Sequence, residues 1–312
     1  TRTEFLSARR ADGGWIAQLS GGRAVSAGMI VNAAGPWVAE VLGQRLGGGG
    51  GSGVRLVKGS HIVVPRAYEG DHAYILQQDD GRVVFAMPYG EFNLIGTTDV
   101  PVERPGDATV AADEIAYLCD AANAYFNRRT RPEQVVWSYA GVRALYDDGA
   151  ANAKDVTREY RLELEEKEGT KLLSVFGGKI TTARALATEA LDRLDVRGLK
   201  FTATTPLPGG GVTPGFNAWL AEVGRWMPAP MLVRMSRAYG TRLDRILDGV
   251  GDLAGMGRRF GADLYEREVR HLMSEEFART AEDVLWRRSK LGLRLTEAQQ
   301  AALAEWMAAS IA

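Results

Sequence analysis

The sequence predicts an α+β protein in which an antiparallel sheet with flanking helices is followed by a C-terminal α-helical domain. Short β-rich runs separated by Gly, Pro and Asp-Gly turns dominate the first 110 or so residues. An apolar run at residues 172–176 ends abruptly at Gly177-Gly178 and gives way to helical periodicity. Beyond the breaker segment 206–211 the pattern is almost wholly helical. These shifts place one domain over residues 1–205 and a second over 206–312.

Taken in order, residues 15–19 follow the turn Asp12-Gly13-Gly14, and residues 24–31 form a second apolar run after Gly21-Gly22, which together predict a hairpin. The glycine run 47–51 cannot pack a core and reads equally as a natural loop or as an engineered replacement. Further strands are expected at 61–64, 73–76, 83–87 and 92–96. Residues 111–126 carry Ile115, Leu118, Ala122 and Phe126 on one helical face, the pattern of a helix laid over that sheet. Strands return at 134–139, 160–164 and 172–176, and residues 180–194 are helical. The C-terminal helices are expected near 216–226, 230–239, 244–247, 264–276, 281–289 and 296–309. Thr296 followed by Gln299 resembles a capping box for the last of them.

A chain of 312 residues with 46% hydrophobic content is long and apolar enough for two cores. With 38 basic against 39 acidic residues, no overall field would gather nucleic acid, and no basic stretch with interleaved aromatics suggests it. An anionic ligand must therefore be recognised locally. The single cysteine, Cys119, lies in an apolar helical context without a basic neighbour, which points to a core thiol in a reducing compartment. No run approaches the roughly 18 apolar residues of a membrane span.

Five segments could carry chemistry. In Gly177-Gly178-Lys179-Ile180-Thr181 a strand meets a helix N-terminus, whose free N–H groups and partial positive charge suit an anionic group, while glycines admit close approach. A capped turn with a solvated lysine explains the same residues at least as well. Arg143 closes Ser138-Tyr139-Ala140-Gly141-Val142-Arg143, and its planar fork matches phosphate or carboxylate oxygens, although a surface role is the commoner one. Lys58-Gly59-Ser60-His61 opens a strand and sets an imidazole near a cation that would favour its neutral form. Of the other histidines, His72 reads as a solvated turn residue and His271 as a surface or packing residue. Ala33-Ala34-Gly35-Pro36-Trp37 places small side chains at a strand end, where a backbone or a cofactor can come close. Gly96-Thr97-Thr98-Asp99 supplies hydroxyls and a carboxylate at another strand end, with turn capping as the default role.

In this order, residues 31–38, 55–65, 95–100, 138–143, 172–182, 207–210 and 283–293 resemble the aerobic, FAD-linked glycerol-3-phosphate dehydrogenases over nearly the whole chain. The resemblance implies a D-amino-acid-oxidase-like flavoprotein fold, with FAD touched by Ala34, Gly35, Trp37, Thr98, Gly177, Gly178, Lys179, Ile180 and Thr181. It puts His61, Arg143 and Lys179 in the substrate pocket: Arg143 and Lys179 as holders of anionic oxygen, His61 as the base. Oxidation of glycerol 3-phosphate to dihydroxyacetone phosphate follows, with ubiquinone as onward acceptor and the protein bound peripherally at the cytoplasmic membrane; a homodimer is a further expected partner state. The Gly-x-Gly-x-x-Gly turn that cradles the FAD pyrophosphate is absent, so an N-terminal FAD-binding segment is expected to be missing and the chain inactive alone. The competing readings are an oxygen-reducing glycerophosphate oxidase and a flavin-free scaffold or interaction module.

Overall fold

In a computed structural model, which describes residues 2–47, 53–147, 159–199 and 201–311, the chain falls into two compact units, Thr1–Lys200 and Phe201–Ala312. The glycine run lies largely outside the described residues.

The first unit opens with β1 (Phe5–Ala11), β2 (Gly14–Leu19) and β3 (Arg23–Ala27), an antiparallel meander. Asp12 and Gly13 turn the first corner at positive φ. The single apolar run expected over 24–31 is two elements, because the chain bends at Gly28 and β4 (Met29–Asn32) leaves to join another sheet. A short helical turn, α1 (Val38–Glu40), follows.

The central sheet holds six strands: β5 (Val54–Pro65), β6 (Tyr74–Gln77), β7 (Val83–Tyr89), β8 (Phe92–Gly96), β9 (Val100–Pro101) and, across a helix, β10 (Trp137–Tyr146). They run in the order β10-β5-β8-β7-β6, with β9 beside β5, and every pairing is antiparallel. Side chains alternate across a strand. One set, including Ile62, Val64, Leu76, Val84, Ala86 and Ile95, packs under α2 (Ala112–Asn123) with Leu118, Cys119, Ala121 and Ala122. Cys119 is buried there, and desolvation pushes its thiol up to about 11.

The N-terminus of α2 is fixed to β5 by a buried polar cluster. Lys58 pairs with Glu114 at 2.7 Å and donates to the Thr109 carbonyl at 2.7 Å. The Ser60 and Thr98 hydroxyls donate to the same carboxylate at 2.8 and 2.7 Å, as does the Ala111 N–H at 3.0 Å. Lys58 and His61 thus do not open a strand together: both lie within the twelve-residue β5, on opposite faces.

A third sheet combines β11 (Arg161–Lys167), β12 (Thr170–Phe176) and β4, with β4 and β12 parallel. Strand β12 is buried on both faces, as its continuous apolar run requires. After Gly177 and Gly178, both at positive φ, a 3-10 turn at Ile180–Thr182 runs into α3 (Ala183–Arg193).

The second unit contains α4 (Pro214–Val223), α5 (Ala229–Tyr239), α6 (Leu243–Ile246), the hairpin β13 (Arg259–Gly261) and β14 (Leu264–Tyr265), α7 (Glu266–Glu275) and α8 (Glu297–Ile311). Its core is built on Met231, Met235, Leu243, Ile246, Leu264, Val269, Leu272 and Leu303. Buried Glu268 accepts both guanidinium ends of Arg234 at 2.7 and 2.8 Å and the Tyr239 hydroxyl at 2.7 Å. His271 is interior rather than on the surface, edge-on to Tyr239. The Thr296–Gln299 box forms in both directions, at 3.0 and 3.3 Å. Among the described residues no helix is long and apolar enough to cross a membrane.

Candidate active site

The face of the central sheet turned away from α2 carries the chemistry. Its alternation collects Gly59 and His61 from β5, Tyr139 and Arg143 from β10, Gly96 from β8, and Phe85 and Tyr89 from β7. Across one row of the ladder Tyr139, His61, Gly96, Phe85 and Ile75 stand side by side.

His61 lies flat on Tyr139, ring centroids 4.8 Å apart and planes 3° from parallel. On its other side it lies over Gly96, where a Cβ would strike its Cδ2 and come within 2.7 Å of its Cγ. The imidazole is held between an aromatic ring and a bare backbone. Burial lowers its pKa first and the Arg143 charge lowers it further, against a weaker opposing contact with the Gly59 backbone, so the neutral ring is favoured. Among the described residues its buried Nδ1 has no hydrogen-bond partner. Tyr89 sits close enough to Tyr139 that burial, then that neighbour, push its hydroxyl up to about 12.

Arg143 lies across Gly59, where a Cβ would approach its Nη2 to 2.7 Å. Its Nη1 donates to Asp99 and its Nη2 to the Thr97 hydroxyl at 3.3 Å. Among the described residues two of its five donors are so engaged. Of the residues expected in the substrate pocket, His61 and Arg143 are brought together. The Lys179 ammonium meets Glu159 at 3.3 Å, and its described contacts do not include either of the other two.

The expected cofactor residues separate similarly. Strands β4 and β12 run parallel, with Ser174 opposite Asn32, so the segments after them leave from the same end of the sheet. Ligands of open parallel sheets collect at that carboxyl end. Ala34, Gly35 at positive φ and the half-exposed Trp37 follow β4; Gly177, Gly178, Lys179, Ile180 and Thr181 follow β12. Ile180 is 91% exposed. A Cβ on Gly177 would lie 3.1 Å from the Glu159 carbonyl and 3.5 Å from that of Ala144, the residue after Arg143, so this turn and the strand of Arg143 meet. Thr182 caps the turn, its hydroxyl donating to the Lys179 carbonyl at 3.1 Å. Thr98 is 1% exposed, and its hydroxyl receives the Ser60 N–H at 2.9 Å and donates to Glu114, so its side chain is engaged in the link between β5 and α2. The neighbours Thr97 and Asp99 face Arg143 instead. For Tyr139 the available signal was its spacing from Arg143 along one strand.

Residues 1–193 match the family model described as FAD dependent oxidoreductase, and residues 200–311 match that of the C-terminal domain of alpha-glycerophosphate oxidase. The chain belongs to the FAD dependent oxidoreductase family. It is 44% identical to the D-erythritol 1-phosphate dehydrogenase of Brucella abortus (strain 2308) and to the glycerol-3-phosphate dehydrogenase of Pseudomonas aeruginosa. It is 38% identical to the aerobic glycerol-3-phosphate dehydrogenase of Escherichia coli (strain K12). Each alignment covers 98% of this chain but only 63–64% of the relative. The solved glycerol-3-phosphate dehydrogenase of Bacillus halodurans, complexed with FAD, superposes with a TM-score of 0.76 over 99% of this chain and 64% of that one, at 24% identity. The D-amino-acid-oxidase-like α+β fold expected of the family is therefore the fold of this chain, and FAD is the family's cofactor. An orphaned imidazole nitrogen above a glycine floor, and a double-glycine turn at the carboxyl end of parallel strands, fit a flat redox ring and its substrate.

Proposed function

We propose that the protein oxidises sn-glycerol 3-phosphate to dihydroxyacetone phosphate, with electrons passed on to a quinone at the cytoplasmic membrane, where it binds peripherally. The observation that carries this reading is the pairing, on one sheet face, of an imidazole whose proton affinity is lowered by burial and by Arg143 with an arginine that, among the described residues, engages two of its five donors. FAD, when bound, supplies the acceptor for the hydride that leaves C2. Ala34, Gly35, Trp37, Gly177, Gly178, Lys179, Ile180 and Thr181 are the residues that would hold it. Arg143 binds the phosphate, whose oxygens its planar fork matches. His61, clamped between Tyr139 and Gly96, takes the C2 hydroxyl proton. Lys179 adds a second cation for phosphate if its ammonium leaves Glu159, a pair exposed enough to cost little to break.

The test uses the whole FAD-loaded protein. His61→Ala should slow single-turnover flavin reduction about 10²–10⁴-fold, the usual contribution of a positioned acid or base. Arg143→Ala should raise KM about 10–100-fold, as expected for losing a charged hydrogen-bonding partner worth roughly 1.5–3 kcal/mol. Unchanged reduction in the His61 variant removes it as the base. Equal identity to a D-erythritol 1-phosphate dehydrogenase makes that longer polyol phosphate the second substrate to assay. Reoxidation by a quinone analogue against oxygen separates the dehydrogenase from an oxidase.

A further inference from the structure

We propose that Asp99 is a positioning residue of this site: it holds the Arg143 guanidinium across Gly59 and supplies the counter-charge that limits how strongly that cation bears on His61. The idea deepens, and rests on, the reading of His61 as base and Arg143 as phosphate anchor. Thr97 and Asp99, in the segment that joins β8 to β9, take one end each of a single guanidinium. A side chain on Gly59 would occupy the space the guanidinium crosses. Asp99 and Arg143 are each about one third exposed, which leaves the pair open to a ligand but not free in water. Such a pair needs its carboxylate for two reasons. An arginine held at two points loses less freedom when it grips phosphate. An unopposed guanidinium beside His61 would depress proton uptake by the group that must accept a proton.

Among the described residues the other charged groups near His61 do not supply this balance. From β10 come Arg143 itself and the Tyr139 ring, and from β7 Tyr89, whose hydroxyl stays protonated. Lys58 lies on the opposite face and is matched there by Glu114. Arg82, within electrostatic reach of Asp99, is matched by its own partner Asp80 at 2.6 Å. Asp99 is thus the carboxylate bonded to the cation that acts on His61.

The test is an NMR titration of the imidazoles in this chain, with neither substrate nor flavin needed. Three histidines give three signals, and His61→Gln assigns the relevant one. Asp99→Asn keeps an oxygen for the guanidinium and removes the charge. It should lower the His61 midpoint by about half a pH unit, a fraction of the 1–3 units an adjacent charge produces. Asp99→Glu should restore the midpoint to within about 0.2 units of the parent, and Arg143→Gln should raise it. A midpoint unmoved or raised in Asp99→Asn overturns the proposal. So does a Glu variant that behaves like Asn. If the Asn variant does not fold, the Glu and Gln arms still decide: a midpoint unmoved by Arg143→Gln means there is no cationic influence for Asp99 to offset. Because no turnover is read, these results stand whether or not glycerol 3-phosphate is the substrate. In the FAD-loaded protein Asp99→Asn should then shift the pH profile of flavin reduction in the same direction as the imidazole.

Discussion

His61 owes its place to what two neighbours lack as much as to what it touches. Gly96 does not lie in the left-handed region, and a methyl on it would occupy the imidazole ring. Gly96→Ala is therefore predicted to push His61 off Tyr139 and to destabilise the sheet by about 1–3 kcal/mol, as overpacking does. A urea midpoint close to the parent value, together with an unaltered His61 titration, would contradict this. Gly59 gives Arg143 its room by the same means. The residue types of this site, histidine and arginine, were legible in the sequence because few side chains take protons near neutrality or fork onto phosphate. Their glycine floor was not, since a glycine between strand residues reads first as a bend. The charge beside His61 was also misread from adjacency along the chain: Lys58 is three residues away but on the other face, whereas Arg143, far off in sequence, shares the ladder.

At the scale of elements, the link between α2 and β5 is the most exposed to acid. Burial raises the Glu114 pKa, but hydrogen bonds from Lys58, the Ala111 N–H, Thr98 and Ser60 outweigh that and hold it below its ordinary 4.5. A carboxylate depressed in the folded state contributes stability above its unfolded pKa and loses it as pH falls through the folded one. Unfolding of the first unit should thus become easier as pH drops below about 4.5, and Glu114→Gln should flatten that dependence. Glu114→Ala, which strands Lys58 in the interior, is predicted to cost about 3–5 kcal/mol at neutral pH by urea denaturation. Helices and the antiparallel sheet were readable from periodicity, and the last helix even from its cap. The break at Gly28 was not, because which sheet a strand joins depends on partners more than 100 residues away, here Leu172 and Leu173 opposite Ile30 and Val31.

For the molecule as a whole, two units with separate cores mean that a single unfolding curve can blend two events. Cys119 separates them. It is the one thiol in the chain, it lies between α2 and the central sheet, and the helical unit has none. With its pKa pushed up to about 11, on the order of one molecule in ten thousand carries the reactive thiolate at pH 7. Alkylation by iodoacetamide should consequently wait for that layer to open, and the mass increment should appear at the rate of opening. A rapid, stoichiometric adduct on the native protein would show the thiol to be accessible after all. Nature has in effect installed a chemical stopwatch under the strand that carries His61, and it starts only when helix and sheet come apart.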